Sequence, residues 1–154
     1  QLLIQRIIFI EKQKSLLDTE IENILSLLNS PITSIPGIGN VLGATILAEI
    51  GNIDNFSSPA KLLAFAGCEP STYQSGKFIA KNTPMVKHGS RYLRNALFLA
   101  TVAANISSPS FKAYIAKKKE QGKHHYVAIS HGMKKMVRVI FSVLKSNVPF
   151  TERF

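Results

Sequence analysis

A hydrophobic repeat of seven residues runs through residues 1–30 and constrains the fold more than any other feature of the sequence. Its positions alternate spacings of four and three and hold Leu3, Ile7, Ile10, Lys14, Leu17, Ile21, Ile24 and Leu28. This spacing predicts one long helix whose apolar seam packs as a coiled coil, within the chain or between chains. Packing in an intramolecular bundle is the alternative. The polar seam residue, Lys14, can fix register or oligomeric state.

Local start and stop signals predict the remaining helices. Ser30 and Pro31 end the first helix, and Ser-Pro pairs at 58–59 and 108–109 read as an N-cap followed by proline at the first helical position. Helical periodicity predicts helices over about 40–50, 59–67, 109–119 and 125–146, and another that begins near residue 89. The helix that begins near residue 89 is expected to bury one face, formed by Leu93, Ala96, Leu97, Ala100 and Ala104. The last helix is expected to bury a stripe formed by Met133, Met136, Val137, Ile140, Phe141 and Leu144. Residues 68–88 lack that periodicity and are expected to be the longest irregular segment. The predicted fold is all-α, with a coiled-coil-like helix (1–30) and a compact helical bundle (31–154).

Positive charge is concentrated in the second half of the chain. The formal net charge is +10, yet residues 71–154 hold 15 basic and 2 acidic side chains, whereas residues 1–70 are net acidic. A one-sided basic field favours a polyanionic partner, most often nucleic acid, although a solvated surface is the alternative. One cysteine, Cys68, excludes a disulfide framework and favours a reducing compartment. No apolar run approaches the length of a membrane span, so no membrane partner is expected.

A glycine pair marks the start of the second predicted helix. The segment 35–39 reads Ile-Pro-Gly-Ile-Gly, and Gly37, Ile38 and Gly39 are the candidate residues for contact with a nucleic-acid backbone. Glycines permit tight turns and close approach, and the free N–H groups of a helix start suit a phosphate. The segment resembles a helix-hairpin-helix, which grips nucleic-acid backbone without reading bases. A corner that only packs is the alternative.

Two further motifs fall in the basic half. Ser75 lies beside Gly76 and Lys77 and could act as a nucleophile toward a phosphodiester, although a loop serine is more often a turn or cap residue. Downstream, His88, Arg91 and Arg94 lie near a helix start, and with Lys77, Lys81 and Lys87 upstream they make a candidate basic ridge that binds nucleic acid. A solvated face is the alternative. The histidines are candidate bases by residue type only. No cluster has the spacing of a zinc site or of a carboxylate metal centre, so no metal site is predicted.

These motifs occur in a recognisable order. The ordered set comprises Ile35-Pro36-Gly37-Ile38-Gly39, Ala44 through Gly51, Leu62 through Gly67, Pro70, Gln74-Ser75-Gly76 and Lys87 through Arg94. Over residues 31–150 it resembles the C-terminal domain of the IS110/IS116 family of insertion-sequence transposases. Residues 1–30 would match the coiled-coil helix that leads into that domain. The chain begins with Gln1 and is expected to be a fragment of a longer protein.

The resemblance implies a function and a division of labour. In this family an N-terminal RuvC-like domain binds magnesium through four acidic residues, a guide RNA directs the reaction, and the C-terminal domain supplies a serine that becomes covalently linked to DNA. That serine would be Ser75, with Ser71 and Thr72 as competing hydroxyls. No cofactor is then expected in this fragment, which should not cleave DNA alone, and magnesium would come from the missing domain of a bacterial cytoplasmic protein. A non-catalytic helix-hairpin-helix module that binds DNA or RNA is the alternative.

Overall fold

The computed structural model describes residues 1–71, 74–75, 78–79 and 84–152, and residues 74–75 and 78–79 are described by their backbone alone. The α-helices of these residues are α1 (Leu2–Leu28), α2 (Asn40–Ile50), α3 (Pro59–Phe65), α4 (Arg91–Ser107), α5 (Pro109–Glu120) and α6 (His125–Ser146). Short 3₁₀ helices lie at Pro31–Ser34 and Ile53–Asn55, and two short strands, β1 (Gln74–Ser75) and β2 (Phe78–Ile79), form an antiparallel pair. The all-α prediction is therefore confirmed. Across the described ranges, none of the helices is long and apolar enough to cross a bilayer.

Serine side chains cap the N-termini of α3, α4 and α5, and the sequence predicts the caps of α3 and α5. The Ser58 hydroxyl accepts the Lys61 N–H at the start of α3, and the Ser108 hydroxyl accepts the Phe111 N–H at the start of α5. Each of these helices has proline in its first turn, where the missing N–H leaves no hydrogen bond unmade. Both predicted caps are confirmed.

The core is built mainly by α4 and α6, with α2, α3 and α5 packed around them. The predicted inner face of α4 is completely buried and consists of Leu93, Ala96, Leu97, Ala100 and Ala104. The predicted stripe of α6 is also confirmed: Met133, Met136, Val137 and Ile140 are buried, and Phe141 and Leu144 pack against the same cluster. Each large apolar side chain buried in this way contributes about 1.5–3 kcal/mol.

Helix α1 leaves most of its apolar surface in solvent. Leu25 is its only buried residue, while Leu3 is 73% exposed and Ile10 is 64% exposed. The exposed surface is wider than the heptad seam, because it also includes Leu2, Ile4, Ile8, Phe9, Leu16 and Leu27. Within this chain, the other helices therefore leave most of the heptad seam uncovered.

Within the segment 68–88, which the sequence predicts to be irregular, the described residues pair through their backbones, and we call residues 67–71, 74–75, 78–79 and 84–87 the ribbon. The Ser71 N–H donates to the Pro84 carbonyl at 2.8 Å, and the Val86 N–H donates to the Glu69 carbonyl at 3.0 Å. The strands β1 and β2 also pair with each other, with Ser75 opposite Phe78. The segment lacks the alternation that identifies a strand, and prolines at 70 and 84 oppose strand prediction.

The segment that follows α6 folds back onto the bundle. The Phe150 N–H donates to the hydroxyl of Ser34, the last residue of the 3₁₀ helix that follows α1, at 2.8 Å. The Glu152 carboxylate accepts hydrogen bonds from the Ser108 hydroxyl and from the Ser110 N–H, both at the start of α5. A carboxylate is favourable there because the N-terminus of a helix carries partial positive charge. The segment after α6, which we call the tail, therefore connects the 3₁₀ helix Pro31–Ser34 to the start of α5.

Candidate nucleic-acid and catalytic site

The candidate nucleophile belongs to the ribbon. Ser75 is the last residue of β1, and its backbone pairs with Phe78, the first residue of β2. The neighbouring candidate Lys77 lies outside the described residues, as do the side chain of Ser75 and the competing hydroxyl of Thr72. Ser71, the other competitor, lies at the paired base of the ribbon, where its N–H is bound to Pro84.

Two glycines hold the base of the ribbon against the end of α3. A Cβ added at Gly89 would lie 1.9 Å from the Phe65 carbonyl oxygen, and one added at Gly67 would lie 2.7 Å from the Gly89 nitrogen. Both contacts are to backbone atoms, so neither position has room for a side chain. Gly67 also has a φ of +63°, which glycine adopts without the penalty of other residues. The ribbon is thus anchored by backbone packed directly on backbone.

Arg94 clamps this base, a role that the sequence analysis did not predict. Its guanidinium donates to the carbonyl oxygens of Ala66, Lys87 and Gly89 at 3.1, 3.4 and 3.5 Å. Hydrogen bonds from a charged donor are stronger than neutral ones, so the half-buried side chain joins α3, α4 and the ribbon. No local sequence signal identifies this role, because Arg94 and the three carbonyl groups come together only in the folded chain.

The other described residues of the predicted basic ridge present their side chains to solvent, whereas Lys77 and Lys81 lie outside the described residues. Lys87 and His88 are exposed, and Lys87 has a φ of +59° that is held by hydrogen bonds at its N–H and carbonyl. Arg91 is also exposed. Its guanidinium lies 4.8 Å from the centroid of the Tyr92 ring and donates to the Tyr92 hydroxyl at 2.8 Å. A cation beside an exposed aromatic ring is typical of surfaces that bind nucleic-acid strands.

A carboxylate fixes the start of α4, immediately after the ridge begins. The Ser90 hydroxyl accepts the Leu93 N–H at 3.1 Å and donates to the Glu49 carboxylate at 2.5 Å. The cap of α4 is thereby tied to α2, 41 residues away in the chain. This link positions the helix that carries Arg91 and Arg94.

The glycine corner before α2 divides into a packed part and an open part. A Cβ at Gly37 would lie 2.4 Å from the Ala100 carbonyl oxygen, so this glycine approaches α4 of its own chain. The Ile38 side chain is buried, and its N–H is bound to the Ile35 carbonyl at 3.0 Å. Gly39 is exposed, with nothing within 4 Å of its Cβ position, and it starts α2 without a side-chain cap.

The open end of α2 shares a shallow groove with α1. Lys14, Asp18 and Glu22 line that groove together with residues 39–42. The two carboxylates interact favourably with the positive end of the α2 dipole, but they would repel a phosphate bound at the same place. Charge at this corner is therefore mixed, in contrast to the exposed ridge after the ribbon.

Candidate groups for chemistry other than Ser75 are few in the part of the chain that the structure describes. Burial raises the pKa of the Cys68 thiol to about 11, against a smaller opposing effect of Arg94, so the thiol is protonated at neutral pH and is a poor nucleophile. No group of three or more His, Cys, Asp or Glu side chains among the described residues is arranged to hold a metal ion.

Comparison with known proteins places these features in a family. Residues 29–116 match the family described as Transposase IS116/IS110/IS902. The chain is 31% identical over 125 residues to the pilin gene-inverting protein of Moraxella bovis, covering 80% of this chain and 39% of that protein. It is 28% identical over 147 residues to a 43.6 kDa protein of insertion element IS110 from Streptomyces coelicolor, covering 94% and 36%. The chain thus spans about two fifths of the length of these relatives.

Proposed function

Because the chain belongs to the IS116/IS110/IS902 family of transposases, we propose that it is the part of a transposase that binds DNA and supplies Ser75 as the nucleophile. The observation that most supports this proposal is the ribbon: its anchored base leads directly into the exposed cations Lys87 and Arg91. A paired strand also limits the conformations of Ser75, and a positioned nucleophile lowers the entropic cost of attack. DNA transposition in the bacterial cytoplasm is the corresponding process.

In the proposed reaction, the Ser75 hydroxyl oxygen attacks a DNA phosphorus. A bond forms between that oxygen and phosphorus, and the bond from phosphorus to one deoxyribose oxygen breaks. The hydroxyl proton passes to a general base, and the leaving oxygen takes up a proton. The phosphodiester is exchanged for a phosphoserine ester, which a second strand end can attack in turn. Transient negative charge on phosphorus oxygens would be stabilised by neighbouring cations.

The DNA surface in this proposal is the ridge of Lys87, His88 and Arg91, together with Lys77. Arg94 contributes as a positioning residue, because its guanidinium donates to three carbonyl groups of its own chain. Lysine and arginine contacts to phosphates release counterions, so binding should weaken steeply with salt.

A covalent-trapping experiment on the full-length protein tests the nucleophile. With a DNA substrate whose cleaved strand dissociates, the unmodified protein should accumulate a protein–DNA adduct that survives denaturation. Ser75→Ala should bind the same DNA with affinity changed less than about threefold and form no adduct. Ser71→Ala, which removes a hydroxyl from the same ribbon, is the matched control and should form the adduct. An adduct in Ser75→Ala would refute the assignment and favour a non-catalytic binding module.

Magnesium would be held outside the described residues. The family resemblance implies an acidic domain that would bind the metal, and on that basis we expect that the 154-residue chain does not cut DNA by itself. Incubation of the purified chain with supercoiled DNA and magnesium checks this. Nicking that persists through purification to constant specific activity would contradict it.

A phosphate contact at the glycine corner is also part of the proposal, carried by the open end of α2 at Gly39. Gly39→Asp would cap α2 but place a negative charge where a phosphate would bind, whereas Gly39→Ser caps without charge. We expect DNA binding to weaken at least about fivefold in the aspartate variant and to be unchanged in the serine variant, as measured by fluorescence anisotropy. Equal affinities would refute a phosphate contact at this corner.

Helix α1 is proposed as the contact between copies of the chain, because its heptad seam is exposed along most of its length. Ile10→Asp places a charge in the seam, and Gln5→Asp places one outside it. Light scattering should give a reduced mass for the first variant and an unchanged mass for the second. A monomeric mass for the unmodified chain would refute the proposal.

A guide RNA is the remaining proposed partner of the full-length protein, because the family resemblance implies one and the basic half of the chain suits a polyanion. Strand transfer by the purified protein should then stop when bound RNA is digested and resume when the element's own transcript is added. Activity that is indifferent to ribonuclease would contradict guidance by RNA.

A further inference from the structure

A cleft of about 520 Å³ opens between the base of the ribbon and the start of α6. One wall is the ribbon base with Cys68, and the other consists of the turn between α5 and α6 and the first turns of α6. Lys87 and Arg91 do not line it, so it is separate from the exposed ridge. Its size falls in the range of sites that bind small groups or parts of larger ligands.

Basic groups line one side of this cleft. They are Lys123 and His124 in the turn and His131 and Lys134 on α6, and none of the described residues that line the cleft is acidic. His124 is also the N-cap of α6, a helix of 22 residues whose free N–H groups and dipole add positive potential at that end. The arrangement is suited to an anion.

The charges around His131 also favour an anion in the cleft. Its pKa is lowered first by burial and then by Lys134 on its own helix, Lys118 on α5 and Lys123 in the turn. The opposite wall contributes no charge at neutral pH, because Pro70, Pro84 and Met85 are apolar and the Cys68 thiol is protonated. An anion bound in the cleft would raise the pKa of His131 and so oppose the effect of these lysines.

We propose that this cleft binds one phosphodiester of the DNA strand that the ribbon engages, held by Lys134, His131 and Lys123. The apolar wall of Pro70, Pro84 and Met85 fits the deoxyribose beside that phosphate. DNA is favoured over a free phosphate because the wall of the cleft is the base of the ribbon itself, so a strand lying along the ribbon passes the opening. The inference rests on the proposed DNA-binding function and adds a contact that the ridge does not provide.

Histidine proton resonances of the 154-residue chain provide the first test, with His131 assigned from the spectrum of His131→Gln. Free His131 should titrate below the ordinary histidine range. Inorganic phosphate and a short DNA duplex should each raise the pKa of His131 by about 1, because a neighbouring opposite charge favours the protonated form. No change with either ligand would overturn the proposal. A change with phosphate but not with the duplex would also overturn it, since the site would then take the free ion only.

Affinity for the duplex provides the second test. Lys134→Gln should weaken binding about tenfold and reduce the slope of log affinity against log salt by about 1, as expected for one lost phosphate contact. Lys112→Gln is the matched control, because this exposed lysine lies near the start of α5, about 15 Å along the helix from the turn. Its effect should stay below about twofold. Equal effects of the two variants would overturn the cleft.

The two proposals fail differently. If the unmodified chain binds the duplex, and neither the pKa of His131 nor the Lys134→Gln affinity responds as stated, the cleft is refuted while DNA binding stands. If the unmodified chain binds no duplex at all, DNA binding by this chain is refuted, and the cleft proposal falls with it even where phosphate alone moves His131.

Discussion

Replacing Gly37 with alanine should destabilise the bundle far more than the same change at Gly39, two residues away. The added Cβ at Gly37 would lie 2.4 Å from the Ala100 carbonyl oxygen and 2.5 Å from the Ala104 nitrogen. Non-bonded heavy atoms pack at about 3.5–4.0 Å, so both contacts are more than about 1 Å too short. The atoms that would have to move belong to the α4 backbone, whose Ala100 and Ala104 are completely buried.

Three effects set the size of the change at Gly37. Overpacking costs about 1–3 kcal/mol. The φ of +85° adds about 1–2 kcal/mol for a residue with a Cβ. Alanine lowers the conformational entropy of the unfolded chain relative to glycine, which offsets about 0.4–1 kcal/mol of this cost. The free energy of unfolding should therefore fall by about 2–4 kcal/mol, and about 3 kcal/mol corresponds to a Tm lower by about 6–12 °C in a chain of this size.

At Gly39 the same substitution meets no atom within 4 Å and needs no positive φ. Alanine is a poorer N-cap than glycine, but it restricts the unfolded chain, so the two effects offset each other to within about 0.5 kcal/mol. Urea unfolding of both variants, followed by far-UV circular dichroism, measures the difference directly. Equal midpoints for the two variants would refute the claim that Gly37 is fixed by backbone contact with α4.

Three further perturbations test the ribbon base and the tail. Arg94→Met should speed hydrogen exchange at the backbone amides of Val86 and Lys87 by about 10- to 100-fold, because hydrogen bonds from a charged donor contribute about 1.5–3 kcal/mol. Unchanged exchange rates would refute the claim that Arg94 stabilises the base of the ribbon. At pH 8, Cys68 should react with iodoacetamide more than about 100-fold slower than free cysteine, because burial raises its pKa to about 11. Its rate should rise about tenfold with each pH unit up to about pH 11. A plateau near pH 9 would contradict the raised pKa. The pKa of Glu152 is lowered, chiefly by the Ser108 hydroxyl, so its stabilisation is present above the unfolded carboxyl pKa of 4.5 and is lost as pH falls through the folded value. Glu152→Gln should therefore flatten the acid limb of the stability profile, and superimposable profiles would count against this tail contact.

The helical part of the fold follows from local sequence signals. The start of α5 was predictable because Ser108 and Pro109 combine a side-chain acceptor with a residue that needs no donor. The buried faces of α4 and α6 were predictable because apolar residues recur at helical spacing over 17 and 22 residues. Such signals depend on neighbours within one or two turns.

The ribbon and its clamp depend on contacts that local patterns do not encode. Gly67 and Gly89 are 22 positions apart in the sequence, and their contact becomes apparent only when α3 and α4 are placed together. Arg94 was interpreted as part of the basic ridge because charge alone does not distinguish a phosphate contact from bonds to three carbonyl groups. The cleft at His131 was missed for a similar reason, since its walls come from the ribbon base and α6.

The tail after α6 has a consequence for the order in which the chain can fold during synthesis. Phe150 and Glu152 contact Ser34 and the start of α5, so contacts spanning 116 and 44 positions cannot form until residues 150 and 152 have been synthesised. The ribosome adds about 5–20 residues each second, and contacts of large sequence separation are slow to form. Until residue 152 is made, a nascent chain would carry the exposed apolar side chains of α1 beside an unfastened bundle. During that interval, exposed apolar side chains on α1 are available for contact with other nascent chains.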